Sequence, residues 1–337
     1  QHHQDRFPHA RLHHRRRLPF IHAPSLPREH DGVIGFRVDS DYGTRKEIVE
    51  MRNRLHDAGA ATTWFLHVEA HADWLDLFTT FDGDEIGLHC MRHRTYGTYE
   101  ENKANLSAGL SLMRAACLEP RGCAAPNGFW NIELARAVHD LGFEYASEFS
   151  LDFDDLPFNP WMHDLFSPLL EIPIHPICVG SFLRAKGSDD DMRRYFSEVV
   201  DRGVARREPV ILYGHPGHGK YDLIADDIEH AIATGCAPMT MGDVARWWKR
   251  RSAIRFEGTI EGESVSVRWK GGDEEIGLEI EHDGRRASID GGDGRHLLGQ
   301  LDWKTPPRTT QAQRPGRRPG LLGWRQSLED FNARISQ

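Results

Sequence analysis

Four short segments carry acids and imidazoles at spacings suited to hydrolytic chemistry. In the first, Asp39 and Asp41 follow the apolar run Val33-Ile34-Gly35-Phe36-Arg37-Val38. On a continuing strand these two carboxylates would face the same side and repel. A metal ion at one of them relieves the repulsion and leaves the other free to act as a base. In the second segment, His89 and His93 can converge on one ion if the chain makes a helical turn there. One carboxylate and two imidazoles make a three-ligand set with room for water, as catalytic zinc requires. The third segment reads as a strand, a turn through Pro126, Asn127, Gly128 and Phe129, and a helix capped by Asn131. That turn is a candidate substrate or oxyanion loop. In the fourth, an apolar strand delivers His215 onto a Gly-Pro loop that also holds His218, and His215 is a candidate general acid. Taken singly, each segment also has a bland reading: a capped strand end, a chance pair in a chain with 20 histidines, a turn, a structural histidine.

The elements around these residues alternate in type. Strand-like runs are expected at 33–38, 61–68, 85–88, 121–125, 145–147, 169–174 and 209–213. Helical patterns fall between them: 48–58 with Ile48, Met51 and Leu55 on one face, a stretch through Trp74 and Phe78, then 99–117, 131–141 and 189–206. Strands and helices alternating at this spacing predict βα units on a parallel sheet, open or closed into a barrel. The candidate residues come just after strands, where α/β proteins build their sites.

Residues 1–30 hold six Arg, four Pro and seven His and predict a basic, disordered arm. The α/β domain is expected over 31–250. The period then changes to two, so 251–303 reads as a small antiparallel β module with a hairpin turn at His282-Asp283-Gly284-Arg285. Trp269 and Trp303 in it are either sugar platforms or core, and core is the more frequent case. Residues 304–337 read as a Pro/Gly/Arg-rich linker and a short terminal helix.

Composition narrows the function classes. With 42 Lys and Arg against 51 Asp and Glu, the net charge of −9 argues against general nucleic-acid binding, which depends on clustered positive charge. No apolar run approaches the roughly 20 residues that cross a bilayer. Five cysteines, scattered and never in C-x-x-C, argue against a disulfide framework or a zinc ribbon. With no apolar signal in view, a cytoplasmic location is expected over a secreted one, although the chain starts at Gln1 and not Met. Nothing in the sequence fixes an oligomeric state.

Taken together and in order, the four segments resemble the polysaccharide deacetylase family (carbohydrate esterase family 4, the NodB-homology domain) over about residues 32–248. The resemblance implies an α/β fold, a distorted (β/α) barrel of about seven strands, with the small C-terminal antiparallel β module beyond it. It assigns Asp39 as base, Asp41, His89 and His93 as metal ligands, and His215 as acid. The D-x-D spacing is closer to a subgroup that includes peptidoglycan deacetylase-like and allantoinase-like members. There are departures. The family's third motif carries an Arg two residues before its Pro, to orient the base; that position is Ala124, and Arg121 and Arg37 are the candidates to replace it. The motif that holds an Asp and a Trp has no clear counterpart among Asp152, Asp154, Asp155 and Trp161. Trp161 and His218 remain candidate substrate contacts.

The activity implied is a metal-dependent hydrolase that removes an N-acetyl group from an amino sugar or glycan in bacterial cell-surface polysaccharide metabolism. A zinc-bound water has its pKa lowered from ~15.7 to ~7. Asp39 would take the proton and His215 would protonate the leaving amine. A two-His, one-Asp set suits Zn²⁺ and also Co²⁺, Ni²⁺ or Fe²⁺. The expected partner is a carbohydrate or small-molecule amide. Two other readings stay open: hydrolysis of non-sugar C–N bonds such as cyclic ureides or imides, and a non-catalytic carbohydrate-binding descendant.

Overall fold

The computed structural model describes residues 18–148, 156–162 and 164–307. These fall into two units, residues 30–246 and residues 18–29 with 247–307.

The larger unit is built on an all-parallel sheet of eight strands. Its path runs Pro209–Gly214, Gly32–Asp39, Thr62–His67, Glu85–Cys90, Gly122–Cys123, Tyr145–Ala146 and Leu170–Glu171, with Cys236–Pro238 beside the start of Gly32–Asp39. Gly32–Asp39 and Thr62–His67 are buried along their whole lengths, as strands covered on both faces must be. The sheet curls until the segment after its last strand reaches the first: the His175 N–H donates to the Ile211 carbonyl at 2.8 Å. That contact sits outside any regular ladder, so the architecture is a distorted (β/α) barrel.

Helices Arg45–Asp57, Tyr99–Ala115, Ile132–Asp140, Asp189–Arg206 and Tyr221–Ala233 surround the sheet. Thr44, Thr98, Asn131 and Ser188 cap the first four, each accepting from a backbone N–H three residues on. Arg45–Asp57 buries Ile48, Met51 and Leu55, the face that the sequence predicts. One large apolar cluster, including Phe36, Val38, Trp64, Leu66, Leu88, Leu106 and Leu212, fills the space around the sheet.

The second unit is a small antiparallel module. Arg255–Glu261 pairs with Ser264–Gly271, which pairs with Gly294–Leu297; Leu278–His282 pairs with Arg285–Ile289. The turn at Asp283 and Gly284 has φ of 50° and 72°, the left-handed pair that a tight hairpin requires. Trp269 and Trp303 are half-buried against the core of Val265, Ile276, Leu278 and Ile280. One expectation changes here. Within the arm expected to be disordered, Phe20–His22 is a strand, paired in register with Glu279, Ile280 and Glu281. A strand of three residues between Pro19 and Pro24 is too short to show a period in the sequence. Lys304, expected in the linker, bridges to Arg286; residues 308–337, with the expected terminal helix, lie outside the described residues.

Among the described residues, no helix is long and apolar enough to cross a membrane.

Candidate metal and catalytic site

The site lies at the C-terminal ends of neighbouring strands in the larger unit. Gly32–Asp39 delivers Arg37 and Asp39 on one face, two residues apart as the strand period demands. The strand ends there. Ser40 is pinned across to the next strand: its N–H donates to the Phe65 carbonyl at 3.0 Å, and its hydroxyl accepts from the His67 N–H at 2.9 Å. Asp41 then turns with φ of 40°, a left-handed conformation that Asp tolerates better than most residues. The pair therefore does not sit on one continuing strand, as the spacing suggested. Asp39 is buried against Arg37, while Asp41, beyond the strand end, faces His89 and His93.

His89 also differs from expectation. It lies within strand Glu85–Cys90, and the chain bends at 91–93 instead of making a helical turn. Strand pairing with Thr62–His67 and Gly122–Cys123 competes with helix formation there and wins. The bend still folds His93 back. His89 Nε2 and His93 Nε2 are 3.2 Å apart, and both face Asp41 Oδ1, at 3.4 and 3.2 Å. Asn105 on helix Tyr99–Ala115 holds the bend: its carbonyl oxygen accepts from the Arg92 N–H at 2.8 Å, and its amide donates to the Arg92 carbonyl at 3.1 Å.

This donor set fits a divalent cation. His89 Nδ1 lies 2.8 Å from the Ala124 carbonyl, which can only accept, so Nδ1 donates there and Nε2 is the nitrogen turned toward Asp41, where an ion would be held. The ligand atoms of Asp41, His89 and His93 all lie within 4.8 Å of one another. Burial resists charge on Asp41, but the neighbouring imidazoles of His89 and His93 outweigh it and hold its carboxyl far below the usual range. The residues present would hold a metal ion with three protein ligands and leave a side open for water and substrate.

Arg37, one of the two arginines that the sequence offered in place of Ala124, is the one that lies beside Asp39. Its Nε donates to Asp39 Oδ1 at 2.6 Å and its Nη2 to Asp39 Oδ2 at 2.7 Å, a fork on a carboxylate that is 5% exposed. Nη1 donates to the Ser147 carbonyl and hydroxyl. Arg121, the other candidate, is exposed and lies 3.8 Å from Glu144. Burial works against the Asp39 anion, yet Arg37, then His89, holds its pKa below the ordinary value. Burial also raises the pKa of both Glu148 and Glu171; Glu148 accepts from the Ala125 N–H and Glu171 from the Glu148 N–H.

His215 follows strand Pro209–Gly214 and approaches from the other side. Its Nε2 is 3.5 Å from Asp41 Oδ2 and 4.0 Å from Asp39 Oδ2. Burial would lower its pKa, but the Cys178 sulfur and the carboxylates of Asp41 and Asp39 raise it to about 9. His218 packs beside it, ring centroids 4.7 Å apart, and burial with the His215 charge pushes it down to about 4.

The remaining candidates are placed differently. Pro126 is buried and Asn127 and Phe129 are exposed, but the Gly128 and Phe129 N–H groups are spent inside the loop, on the Ala125 and Pro126 carbonyls. Trp161 lies on a two-stranded hairpin and packs edge-on against Phe166 at 4.8 Å. Phe158 pairs antiparallel with Glu171, so this hairpin runs back along the last barrel strand, away from its C-terminal end. Asp152, Asp154 and Asp155 lie outside the described residues. Sequence reasoning missed His67, whose Nδ1 is 3.1 Å from the Asp41 carbonyl and whose ring is 5.4 Å from that of His93. It also missed Cys178. His67 stands four residues before His71, the spacing of His89 and His93, so the sequence did carry a signal for it; Cys178 belongs to no such pattern.

No family model matches the sequence, and no curated protein does. Solved structures do match by shape. A protein of Mycobacterium smegmatis assigned as a polysaccharide deacetylase superposes with a TM-score of 0.59 at 15% identity, over 68% of this chain and 94% of that one. PuuE allantoinase gives 0.55 at 18% identity, over 67% and 93%. A protein of Pseudomonas aeruginosa PAO1, also assigned as a polysaccharide deacetylase, gives 0.55 at 15%, over 68% and 94%. The fold is that of the polysaccharide deacetylases, the NodB-like barrel that the four segments led us to expect.

Proposed function

We propose that the chain is a metal-dependent hydrolase of carboxamide C–N bonds that removes an N-acetyl group from an amino sugar or glycan. One observation carries this reading: Asp41, His89 and His93 converge at the strand ends, between an Arg-clamped Asp39 and a charge-supported His215.

Asp41, His89 and His93 would hold the ion, with zinc the first choice for two imidazoles and a carboxylate. Bound there, the ion would supply Lewis acidity toward the attacking water and the acyl oxygen. The protein's own residues do the rest. Asp39 is ionised and fixed by Arg37, so it accepts the water proton as the new C–O bond forms. His215, kept charged by its neighbours, gives a proton to nitrogen as the C–N bond breaks, because an amine leaves poorly as an anion. Acetate and a free amine result, and solvent exchange returns both groups to their starting states. With the Gly128 and Phe129 N–H groups already engaged, little of the acyl oxygen's stabilisation comes from that loop.

The D-x-D spacing supports a second reading, hydrolysis of a non-sugar C–N bond such as that of a cyclic ureide, by the same groups. The test is product analysis with zinc-loaded protein and with a chelator-treated control. Acetate release from N-acetylglucosamine oligomers supports the first reading. Ring opening of a cyclic ureide without acetate release supports the second. Stoichiometric metal with turnover of neither would leave a carbohydrate-binding descendant.

A further inference from the structure

His215 has a second face. Its Nε2 is turned toward the Asp41 and Asp39 carboxylates. Its ring also meets the Cys178 side chain, with which it shares a hydrogen bond, and Nδ1 of His218 is buried without one. Beyond them sits Cys178, 2% exposed, at the N-terminus of helix Val179–Ala185. One donor atom from each of Cys178, His215 and His218 lies within 4.8 Å of the others.

We infer that Cys178, His215 and His218 form a second metal site, selective for a thiophilic divalent ion of the zinc class and separate from the Asp41, His89 and His93 set. The donors are right for such an ion: one thiolate and two imidazoles, with a fourth position for water. Their surroundings are right as well. A metal-binding histidine characteristically donates its far N–H to a carboxylate, and Asp41 and Asp39 stand where His215 Nε2–H would find one. The Ser181 hydroxyl, 3.9 Å from the Cys178 sulfur, and the Tyr213 hydroxyl beside it supply outer hydrogen bonds to a thiolate. Space for the third ligand depends on Gly180: a Cβ there would fall 2.3 Å from His218 Cε1, so any other residue would push that ring away.

Binding is a plain exchange. The Cys178 thiol proton passes to solvent as the sulfur takes up the ion, and nothing is oxidised. The ion would also fix His215 as a neutral ligand and remove it from proton transfer, making excess metal an inhibitor. That consequence rests on His215 being the acid; the binding does not.

The test is titration of the metal-free full-length protein with Co²⁺, read by near-ultraviolet absorption, where thiolate-to-cobalt charge transfer reports sulfur ligation. Wild type should develop the band. His93→Ala should keep it, Cys178→Ser should lose it, and His218→Asn should need about tenfold more Co²⁺ or greater. No band in wild type, or a band unchanged in Cys178→Ser, would overturn the site. On any amide that the protein turns over, excess zinc should slow wild type and spare Cys178→Ser; equal slowing of both would overturn the inhibitory role. A protein without amidase activity would sink the hydrolase reading and leave the cobalt result to decide this one.

Discussion

Arg37 grips Asp39 from two residues earlier on the same strand, with hydrogen bonds of 2.6 and 2.7 Å to its two carboxylate oxygens. Lys cannot reproduce this planar fork. Arg37→Lys should therefore lower kcat by about 10²-fold or more while metal content stays at the wild-type level. Steady-state kinetics with elemental analysis checks this, and a variant with unchanged kcat would remove Arg37 from the mechanism.

Asn105 fixes the bend that carries His93 through two hydrogen bonds to Arg92. Its loss should loosen one ligand without touching the ion. Asn105→Ala is expected to weaken zinc affinity by about 10- to 100-fold, measured by competition with a chelating dye.

His215 must be charged to act as acid, so activity should fall as pH rises through its pKa. That value is about 9 with the carboxylates fully available, and a cation on Asp41 draws part of their support away. The alkaline limb of kcat/KM should accordingly lie below 9. His215→Gln should abolish the limb and lower kcat by about 10²- to 10⁴-fold.

Asp227 makes a separate prediction about stability. It is 3% exposed on helix Tyr221–Ala233, and burial raises its pKa to about 8 against a weaker pull from Arg193. Between the ordinary carboxyl range and pH 8 the folded chain keeps a proton that the unfolded chain has released. Stability from this group is therefore full at low pH and lost as pH rises toward 8. Asp227→Asn should raise Tm by about 3 °C or more at pH 8 and by much less at pH 4. Equal Tm values at pH 8 would contradict this.

Much of this was legible in the sequence because local rules and tertiary structure agree. Helix Asp189–Arg206 starts after Ser188, whose capping box with Asp191 is written in the residues, and Asp283-Gly284 makes the turn its dipeptide announces. The four site segments come together because each lies at the C-terminal end of a strand of one parallel sheet. What was hidden depends on register and distance. Whether Arg37 or Arg121 replaces the missing arginine turns on which side chain faces inward beside Asp39. The His89–His93 bend reflects strand pairing that overrides a helical spacing. Cys178 lies 37 residues before His215, so only the folded barrel brings it near.

The most direct test of the central claim is zinc content in a Cys178→Ser background, so that only the Asp41, His89 and His93 set is read. Protein equilibrated with zinc and freed of unbound metal should hold about one ion per chain, and the further change Asp41→Ala or His93→Ala should remove it. Zinc retained at the same level after either change, or no zinc bound before it, would contradict the account.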